Sequence, residues 1–256
     1  MGALDGRHAL ITGGGSGIGA AIARALAGEG AAVCVAGRRK APLEDVAGKL
    51  PRAAAVVADV TREADCAAMV EAARAAHGPL DIVIANAGGA ESAPFAKTSL
   101  DDWKATLDGN LTGAFLTVKA ALADVTRDGA NGARRIVFIA STAGVKGYPY
   151  VAAYCAAKHG VVGLARALSV ELGGRGVTVN AVCPGFTDTP MLDASVRKIT
   201  DKTGRSAEDS RAQLAKDNTH GRLITPEEVA QTVLWLCSPQ ANSINGQAIV
   251  ISGGQI

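Results

Sequence analysis

A glycine-rich turn near the N-terminus separates a short, mainly apolar run from an alanine-rich segment. The run covers His8–Thr12, the turn reads Gly-Gly-Gly-Ser-Gly-Ile-Gly at positions 13–19, and a helical pattern covers Ala20–Ala27. Strand, glycine turn and helix in this order are the context that a dinucleotide-binding fingerprint requires. Glycine lets the backbone adopt positive φ and approach a pyrophosphate closely, and the following helix N-terminus offers free N–H groups to the phosphates.

The spacing within the turn is Gly13-x-x-x-Gly17-x-Gly19, with Gly15 and Ser16 between, rather than the commoner Gly-x-Gly-x-x-Gly. A flexible turn without a ligand is the alternative interpretation. Because a strand and a helix flank the turn, we favour a phosphate-binding site.

Apolar runs alternate with helical patterns along the rest of the chain. Runs of the kind that form buried parallel strands occur at Ala32–Ala36, Ala53–Ala58, Leu80–Ala85, Arg135–Ala140, Val177–Val182 and Ala248–Ile251. A long helix is predicted from about Ser99 to Ala123. With the first strand this alternation predicts an α/β fold: a doubly wound, Rossmann-type parallel sheet of about seven strands with helices on both faces. We expect a single domain over residues 1–256, because no linker or repeat interrupts the chain.

The second strand ends in Gly37-Arg38-Arg39, where an NAD site usually places an acidic residue against the ribose 2′-hydroxyl. An arginine can hold a 2′-phosphate with two hydrogen bonds, whereas a carboxylate would repel it. The sequence therefore favours NADP(H) over NAD(H), which remains possible. The alternative is that Arg38 and Arg39 are solvated loop charges.

Composition excludes several classes of protein. The net charge of +2 is too small to indicate a nucleic acid or an anionic membrane as partner. The first residues contain an acid and no long apolar stretch, so no signal peptide is predicted, and no apolar run reaches membrane-spanning length. The five cysteines are scattered and form no Cys-x-x-Cys, so we expect reduced thiols, no metal site and a cytoplasmic location.

Tyr154 and Lys158 lie four residues apart at the start of a proline-free helical run, and therefore share one face of a helix. Such a pair can arise by chance. Here it accompanies Ser141, at the end of a predicted strand, and Asn110, inside the predicted long helix. A cation near a phenol stabilises the phenolate, so we expect Lys158 to lower the pKa of Tyr154 and make it an acid/base near neutrality.

These motifs occur together and in sequence order. Asn86-Ala87-Gly88 lies between the glycine turn and Asn110, and Pro184-Gly185 follows Lys158. In this combination the chain resembles the short-chain dehydrogenases/reductases over essentially its whole length. The resemblance implies that Tyr154 exchanges a proton with the substrate oxygen and that Ser141 hydrogen-bonds that oxygen. It also implies that Lys158 holds the nicotinamide ribose and that Asn110 keeps a water in a proton relay.

The same resemblance implies a set of cofactor contacts. Beside the glycine turn, Ile18 packs on the dinucleotide. The remaining implied contacts are Asp59 and Val60 at the adenine, Asn86, Ala87 and Gly88 on the adenosine side, Pro184 and Gly185 after a strand, and Thr187 and Thr189 at the carboxamide. From its position alone, Asp59 could equally cap the helix that follows it.

Two segments are candidates for substrate recognition. Residues 143–150 contain apolar and aromatic side chains, and residues 190–224 are polar and are interpreted as one or two mobile helices that cover the site. The second segment has a mild basic excess, and the sequence resembles 3-oxoacyl-thioester reductases, 3-hydroxyacyl-CoA dehydrogenases and polyketide ketoreductases. This favours a small-molecule substrate linked to CoA or a carrier protein. A solvated helix face would explain the charges equally well.

Two alternatives remain from the sequence. One is an enzyme of this family that acts on a free ketone, a sugar or another small secondary alcohol. The other is a dinucleotide-binding regulator without chemistry, which the presence of Ser141, Tyr154 and Lys158 disfavours. The resemblance also implies a homotetramer or homodimer joined through the two long central helices, whose alanine-rich surfaces permit close packing.

Overall fold

Seven parallel strands form one sheet at the centre of the structure, a computed structural model that describes residues 2–128 and 134–256. The strands are β1 (His8–Thr12), β2 (Ala32–Gly37), β3 (Ala53–Val57), β4 (Ile82–Ala85), β5 (Arg134–Ile139), β6 (Val177–Pro184) and β7 (Ala248–Ile251). Their spatial order is β3-β2-β1-β4-β5-β6-β7, and every neighbouring pair is parallel. The predicted parallel sheet is confirmed.

Helices cover both faces of the sheet, so the predicted doubly wound arrangement is confirmed as well. The α-helices are α1 (Gly17–Gly28), α2 (Lys40–Ala47), α3 (Glu63–His77), α4 (Leu100–Leu107), α5 (Gly113–Val125), α6 (Ala152–Leu172), α7 (Pro190–Thr203), α8 (Ala207–Lys216) and α9 (Pro226–Cys237). Helices α1, α2 and α9 contribute to one hydrophobic core, and α3, α5 and α6 contribute to the other.

Successive residues of each central strand enter opposite cores. In β1, Ala9 and Ile11 pack with α1 and α9, whereas Leu10 packs with the helices of the other face. Side chains alternate across a strand with a period of two, so a strand covered on both sides is apolar at most positions. This is why the central strands appear in the sequence as continuous apolar runs.

The strand order reverses direction between β1 and β4. The chain passes from β1 outward through β2 to β3, then returns to place β4 on the other side of β1. At such a point the connections leave in opposite directions and open a crevice at the carboxyl ends of the two strands. The glycine turn follows β1 and Asn86 follows β4, so the fold brings both motifs to this crevice.

The predicted continuous helix from Ser99 to Ala123 is wrong in one respect. A π-helical turn at Asp108–Thr112 separates α4 from α5, and Asn110 lies within it. The side-chain amide of Asn110 donates to the carbonyl oxygen of Thr106, one turn earlier, at 2.9 Å. π-Turns occur mainly as single interruptions of α-helices, frequently at functional sites.

Residues 190–224 contain two helices, α7 and α8, followed by a turn that leads to α9. Arg211 of α8 forms ion pairs with Asp188, between β6 and α7, and with Asp193, in the first turn of α7. Helix α9 starts at a reciprocal capping box formed by Thr225 and Glu228. In the described part of the chain, no helix combines the length and apolar character that crossing a bilayer requires.

Candidate active site

A cleft and an adjoining cavity lie at the carboxyl ends of the strands. The cleft, of about 970 Å³, is lined by the glycine turn and by the ends of β2, β3 and β4. The cavity, of about 670 Å³, lies between the ends of β5 and β6, the start of α6 and the inner side of α7. The two spaces share six lining residues: Ile18, Asn86, Gly88, Asn110, Thr189 and Met191. A molecule in the cleft would therefore reach the cavity.

The structure places every predicted site residue on one of these two spaces. The cleft is lined by Gly13, Gly15, Ser16, Gly17, Ile18, Gly19, Arg38, Arg39, Asp59, Val60, Asn86, Ala87, Gly88, Asn110 and Thr189. The cavity is lined by Ser141, Tyr154, Lys158, Pro184, Gly185 and Thr187, together with the shared residues.

Two glycines of the turn have backbone conformations that disfavour other residues. Gly13 has a φ of +66° and Gly17 a φ of +52°. A Cβ on Gly19 would lie 2.4 Å from the carbonyl oxygen of Gly13, so the start of α1 can approach the turn only without a side chain there. The side chain of Ser16, which precedes α1, makes no capping hydrogen bond, and the first turn of α1 has no acidic residue. These features fit an anionic group at the helix N-terminus.

Thr12 and Asn86 join the ends of β1 and β4. The hydroxyl of Thr12 accepts hydrogen bonds from the backbone N–H groups of Asn86 and Ala87, both at 3.1 Å. The amide of Asn86 donates to the carbonyl oxygen of Thr12 at 2.8 Å and to that of Gly13 at 3.3 Å. Asn86 therefore fixes the glycine turn relative to β4.

The far end of the cleft carries charges of both signs. Arg38 and Arg39 are exposed, and within the described residues neither forms an ion pair. The carboxylate of Asp59 accepts hydrogen bonds from the N–H and the hydroxyl of Thr61 at 3.0 and 2.8 Å, which lowers its pKa. Asp59 does not cap α3, since that helix begins only at Glu63.

Asn110 connects the π-turn to the loop that follows β4. Its amide donates to the carbonyl oxygen of Gly89 at 2.8 Å, and its Oδ1 accepts from the N–H of Gly89 at 3.2 Å. A Cβ on Gly88 would lie 2.4 Å from the same oxygen, so this contact requires glycine. The side chain of Asn110 is buried and largely satisfied by protein partners, so its first effect is to hold the loop at the junction of the two spaces.

Tyr154 and Lys158 lie in the first two turns of α6, which begins at Ala152, two residues before the predicted start. The ammonium group of Lys158 lies 5.6 Å from the centre of the Tyr154 ring and donates to the carbonyl oxygen of Ile139 at 2.8 Å. Ser141 follows β5 and hydrogen-bonds the Tyr154 side chain. The three side chains therefore meet at the wall of the cavity.

The expected pKa of Tyr154 near neutrality is not found in this structure. Burial raises the pKa of Tyr154 to about 12, and the hydrogen bond with Ser141 opposes the rise only in part. Burial also lowers the pKa of Lys158 to about 8. Removing a charged group from water disfavours its charged form, which acts in opposite directions on a phenol and an ammonium. Near neutral pH, Tyr154 is protonated and Lys158 is mainly charged.

The loop after β6 forms the opposite wall. The hydroxyl of Thr187 donates to the carbonyl oxygen of Gly185 at 3.0 Å. Thr189 caps α7 by accepting from the N–H of Leu192 at 3.3 Å, and its own hydroxyl lies 3.3 Å from the carbonyl oxygen of Thr187. These bonds use the side chains of both threonines to fix the backbone between β6 and α7.

Sequence reasoning missed one residue that shapes this wall. Asn218 is fully buried after α8, where it accepts from the N–H of Phe186 at 3.1 Å and donates to the carbonyl oxygens of Phe186 and Arg222 at 2.9 and 2.8 Å. A single asparagine in a polar segment gives no sequence signal of such a role. It attaches the end of the segment 190–224 to the cavity wall.

A family model described as enoyl-(acyl carrier protein) reductase matches residues 13–255. This match covers the glycine turn, the whole sheet after β1 and both walls of the cavity. The chain belongs to the short-chain dehydrogenase/reductase family. It is therefore an NAD(P)-dependent oxidoreductase that acts on a carbonyl or alcohol group.

Relatives of this dehydrogenase/reductase carry different substrate names. It is 39% identical to a putative ketoacyl reductase of Streptomyces coelicolor, over 99% of this chain and 98% of that protein. It is 40% identical to cis-4-hydroxycyclohexanecarboxylate dehydrogenase of Sinomonas cyclohexanicum, over 97% of this chain and 96% of that protein. A solved structure of an actinorhodin polyketide ketoreductase variant with NADPH matches with a TM-score of 0.92 and 36% identity, covering 97% of both chains.

Proposed function

We propose that the protein is an NADPH-dependent reductase of 3-oxoacyl thioesters, with the acyl group carried on CoA or a carrier protein. The observation that supports this most directly is the arrangement of Ser141, Tyr154 and Lys158 on the cavity wall, next to the residues that the cleft and cavity share. With this arrangement, a proton donor would lie beside the point at which a dinucleotide in the cleft would meet a substrate.

Each of these side chains has a role in the proposed reaction. A bound nicotinamide supplies the hydride that goes to the carbonyl carbon. The hydroxyl of Tyr154 gives its proton to the carbonyl oxygen, and Ser141 hydrogen-bonds that oxygen and positions it. Lys158 places a positive charge beside the forming phenolate and would contact the ribose of a bound cofactor. Asn110 orders the loop and would support a proton relay to solvent.

The protonation states suit reduction better than oxidation. A phenol with a pKa of about 12 is protonated at neutral pH, as a proton donor must be. The charge of Lys158 stabilises the phenolate that remains after proton transfer. For the reverse reaction the protein would have to begin with an ionised Tyr154, which burial disfavours.

The cleft fits a dinucleotide along its length. The N–H groups at the start of α1 would hold the pyrophosphate, Asp59 and Val60 would flank the adenine, and the loop at Thr187 and Thr189 would meet the carboxamide. Beyond β2, two exposed arginines line the cleft and within the described residues no carboxylate pairs with them. A 2′-phosphate would satisfy them, which supports NADP(H) over NAD(H).

Replacing Arg38 with aspartate is expected to shift the preference from NADPH toward NADH by about 10²-fold in kcat/KM. The substitution removes charge-assisted hydrogen bonds to a 2′-phosphate and adds a repelling carboxylate. The ratio of kcat/KM for the two cofactors, followed by absorbance, measures the shift. Arg175→Asp is the control, because Arg175 is exposed and lines neither space. An unchanged ratio in Arg38→Asp would contradict the cofactor proposal.

Helices α7 and α8 are proposed to act as a lid over the substrate. The inner side of α7 lines the cavity with Ser195, Lys198, Ile199 and Lys202. Lys198 also forms an ion pair with Glu91, in the loop after β4, so α7 is connected across the opening. The apolar lining of the cavity would suit an acyl chain, and the two lysines would suit the phosphate groups of its carrier.

A substrate panel tests this proposal. We expect acetoacetyl-CoA to be reduced with a kcat/KM at least about tenfold above that of acetone or a keto sugar, because more binding energy is available from the carrier. Oxidation of NADPH, with identification of the 3-hydroxyacyl product, measures the difference. Turnover of the free ketone or the sugar without turnover of 3-oxoacyl thioesters would favour the second candidate function, a dehydrogenase of a free secondary alcohol.

The relative named for a hydroxycyclohexanecarboxylate supports this second candidate, since that name describes no carrier.

The proposed assembly is a homotetramer or homodimer through α5 and α6. Both helices expose large apolar side chains, Phe115 on α5 and Val170 on α6, as a helix-to-helix interface between copies would require.

A further inference from the structure

Tyr150 has a backbone conformation that tyrosine rarely adopts. Its φ is +66°, and among the described residues it alone, other than glycine, has a positive φ. In this region the Cβ of an L-residue crowds its own backbone, so a bulky side chain there costs free energy. Such conformations persist where the surrounding structure enforces them, and they concentrate at functional sites.

A hydrogen bond between two loops holds this conformation. The carbonyl oxygen of Tyr150 accepts from the N–H of Ala93 at 2.8 Å. Ala93 belongs to the loop after β4, and Tyr150 belongs to the loop before α6, four residues ahead of Tyr154. Both residues line the cavity, so the bond joins two parts of its rim.

Tyr150 is 65% exposed although it lines the cavity. Pro94, Pro149 and Val151 line the cavity beside it, so the ring forms part of an apolar rim. An aromatic ring that borders a cavity can bury its exposed face against a ligand, which adds contact area with few rotatable bonds.

Glycine would adopt the observed φ without cost, and the hydrogen bond to Ala93 uses only the backbone. What tyrosine adds at this position is therefore its ring. We propose that Tyr150 is a specificity-determining residue whose ring covers the apolar part of the substrate beyond the reacting carbonyl. This inference rests on the proposed reductase function, and it names the preferred substrates as those with a bulky apolar group next to the carbonyl.

Two 3-oxo esters that differ in one group test the proposal: ethyl acetoacetate, with a methyl group, and ethyl benzoylacetate, with a phenyl group. In Tyr150→Ala we expect the KM for the phenyl ester to rise about tenfold, as the loss of one aromatic contact surface implies. Its kcat and the KM for the methyl ester should each change by less than about twofold. Tyr150→Phe should behave as the unmodified enzyme, because the ring is kept.

Phe95→Ala is the matched control. Phe95 is 79% exposed in the loop after β4 but lines neither the cleft nor the cavity, so its removal should leave both KM values unchanged. Tyr150→Gly separates the ring from the backbone. It should show the same KM rise as Tyr150→Ala but melt about 2–4 °C higher than Tyr150→Ala, because the positive φ no longer costs free energy.

An equal loss of kcat on both esters in Tyr150→Ala would overturn the proposal, since it would mean that Tyr150 only supports Tyr154. Unchanged KM values for both esters would overturn it as well. Calorimetric binding of the phenyl ester to the enzyme with NADP⁺ gives a separate measurement. If the unmodified enzyme binds but reduces no ketone, the proposed reductase function fails, while weaker ester binding by Tyr150→Ala would still support the role of the ring.

Discussion

Replacing Tyr154 with phenylalanine lowers kcat for ketone reduction by about 10³-fold, within the range that general acid catalysis contributes. The variant keeps the ring in the wall of the cavity and removes only the hydroxyl that hydrogen-bonds Ser141 and would protonate the carbonyl oxygen. Because Tyr154 lines the cavity and not the cleft, the dissociation constant of NADPH should change by less than about threefold. Stopped-flow absorbance and fluorescence titration measure the two quantities.

Tyr148→Phe provides the comparison for this prediction. The Tyr148 hydroxyl also lies in the cavity, but it is within 2.8 Å of Thr142 Oγ1 and of Gln255 Oε1 and is 6 positions away from Tyr154. We expect its removal to lower kcat by less than about tenfold, because the two hydrogen bonds that are lost are neutral and do not involve Tyr154. Similar losses in the two variants would contradict a specific role for Tyr154.

Replacing Lys158 with glutamine is expected to lower kcat/KM by about 10²-fold and to change its pH dependence. The ammonium group stabilises the phenolate that forms on Tyr154, and a buried charge near the reacting atoms has a large effect. Burial lowers the pKa of Lys158 to about 8, so its charge is present below that pH and is lost as the pH rises through it. In the unmodified enzyme, kcat/KM for reduction should therefore fall above about pH 8.

The pH profile distinguishes the two groups, because the pKa of Tyr154 is raised to about 12. In Lys158→Gln the decrease near pH 8 should disappear, leaving a low and flat profile. Lys146→Gln is the control, since Lys146 lies over the Tyr148 ring and lines neither space. A decrease near pH 8 that persists in Lys158→Gln would show that another group causes it.

The architecture could be predicted from the sequence because it depends on simple periodicities. Strands buried on both faces are apolar at most positions, and glycine is favoured where a backbone takes positive φ. The residues of the cleft could be placed for a similar reason: parallel strands deliver their carboxyl ends to one edge of the sheet. The strands β1, β4 and β5 are neighbours in the sheet. The residues that follow them, Gly13, Asn86 and Ser141, therefore lie along the same edge of the sheet.

The remaining features depend on contacts between distant segments. The π-turn at Asn110 involves the loop at Gly89, 21 positions away, and no local pattern in the helix marks it. The conformation of Tyr150 depends on the hydrogen bond from the backbone of Ala93. The role of Asn218 depends on its hydrogen bond with the backbone of Phe186. None of these pairs has a characteristic spacing in the sequence.

The pKa of Tyr154 also depends on the folded structure and not on the local sequence. The spacing of Tyr154 and Lys158 predicts their proximity, which the structure has, but not the extent of their burial. Desolvation outweighs the hydrogen bond with Ser141 and raises the pKa of the Tyr154 phenol instead of lowering it. With its pKa raised to about 12, Tyr154 is protonated at neutral pH and can donate a proton.

In the proposed mechanism, cleft and cavity form one site, where hydride transfer to a carbonyl carbon is coupled to proton transfer from Tyr154. A single-turnover reaction with NADPH deuterated at the transferring position of the nicotinamide, in the unmodified enzyme and in Tyr154→Phe, measures this coupling. We expect an alcohol product with one deuterium on the carbinol carbon, formed about 10³-fold more slowly by the variant. An unlabelled product, or an equal rate in both proteins, would rule this mechanism out.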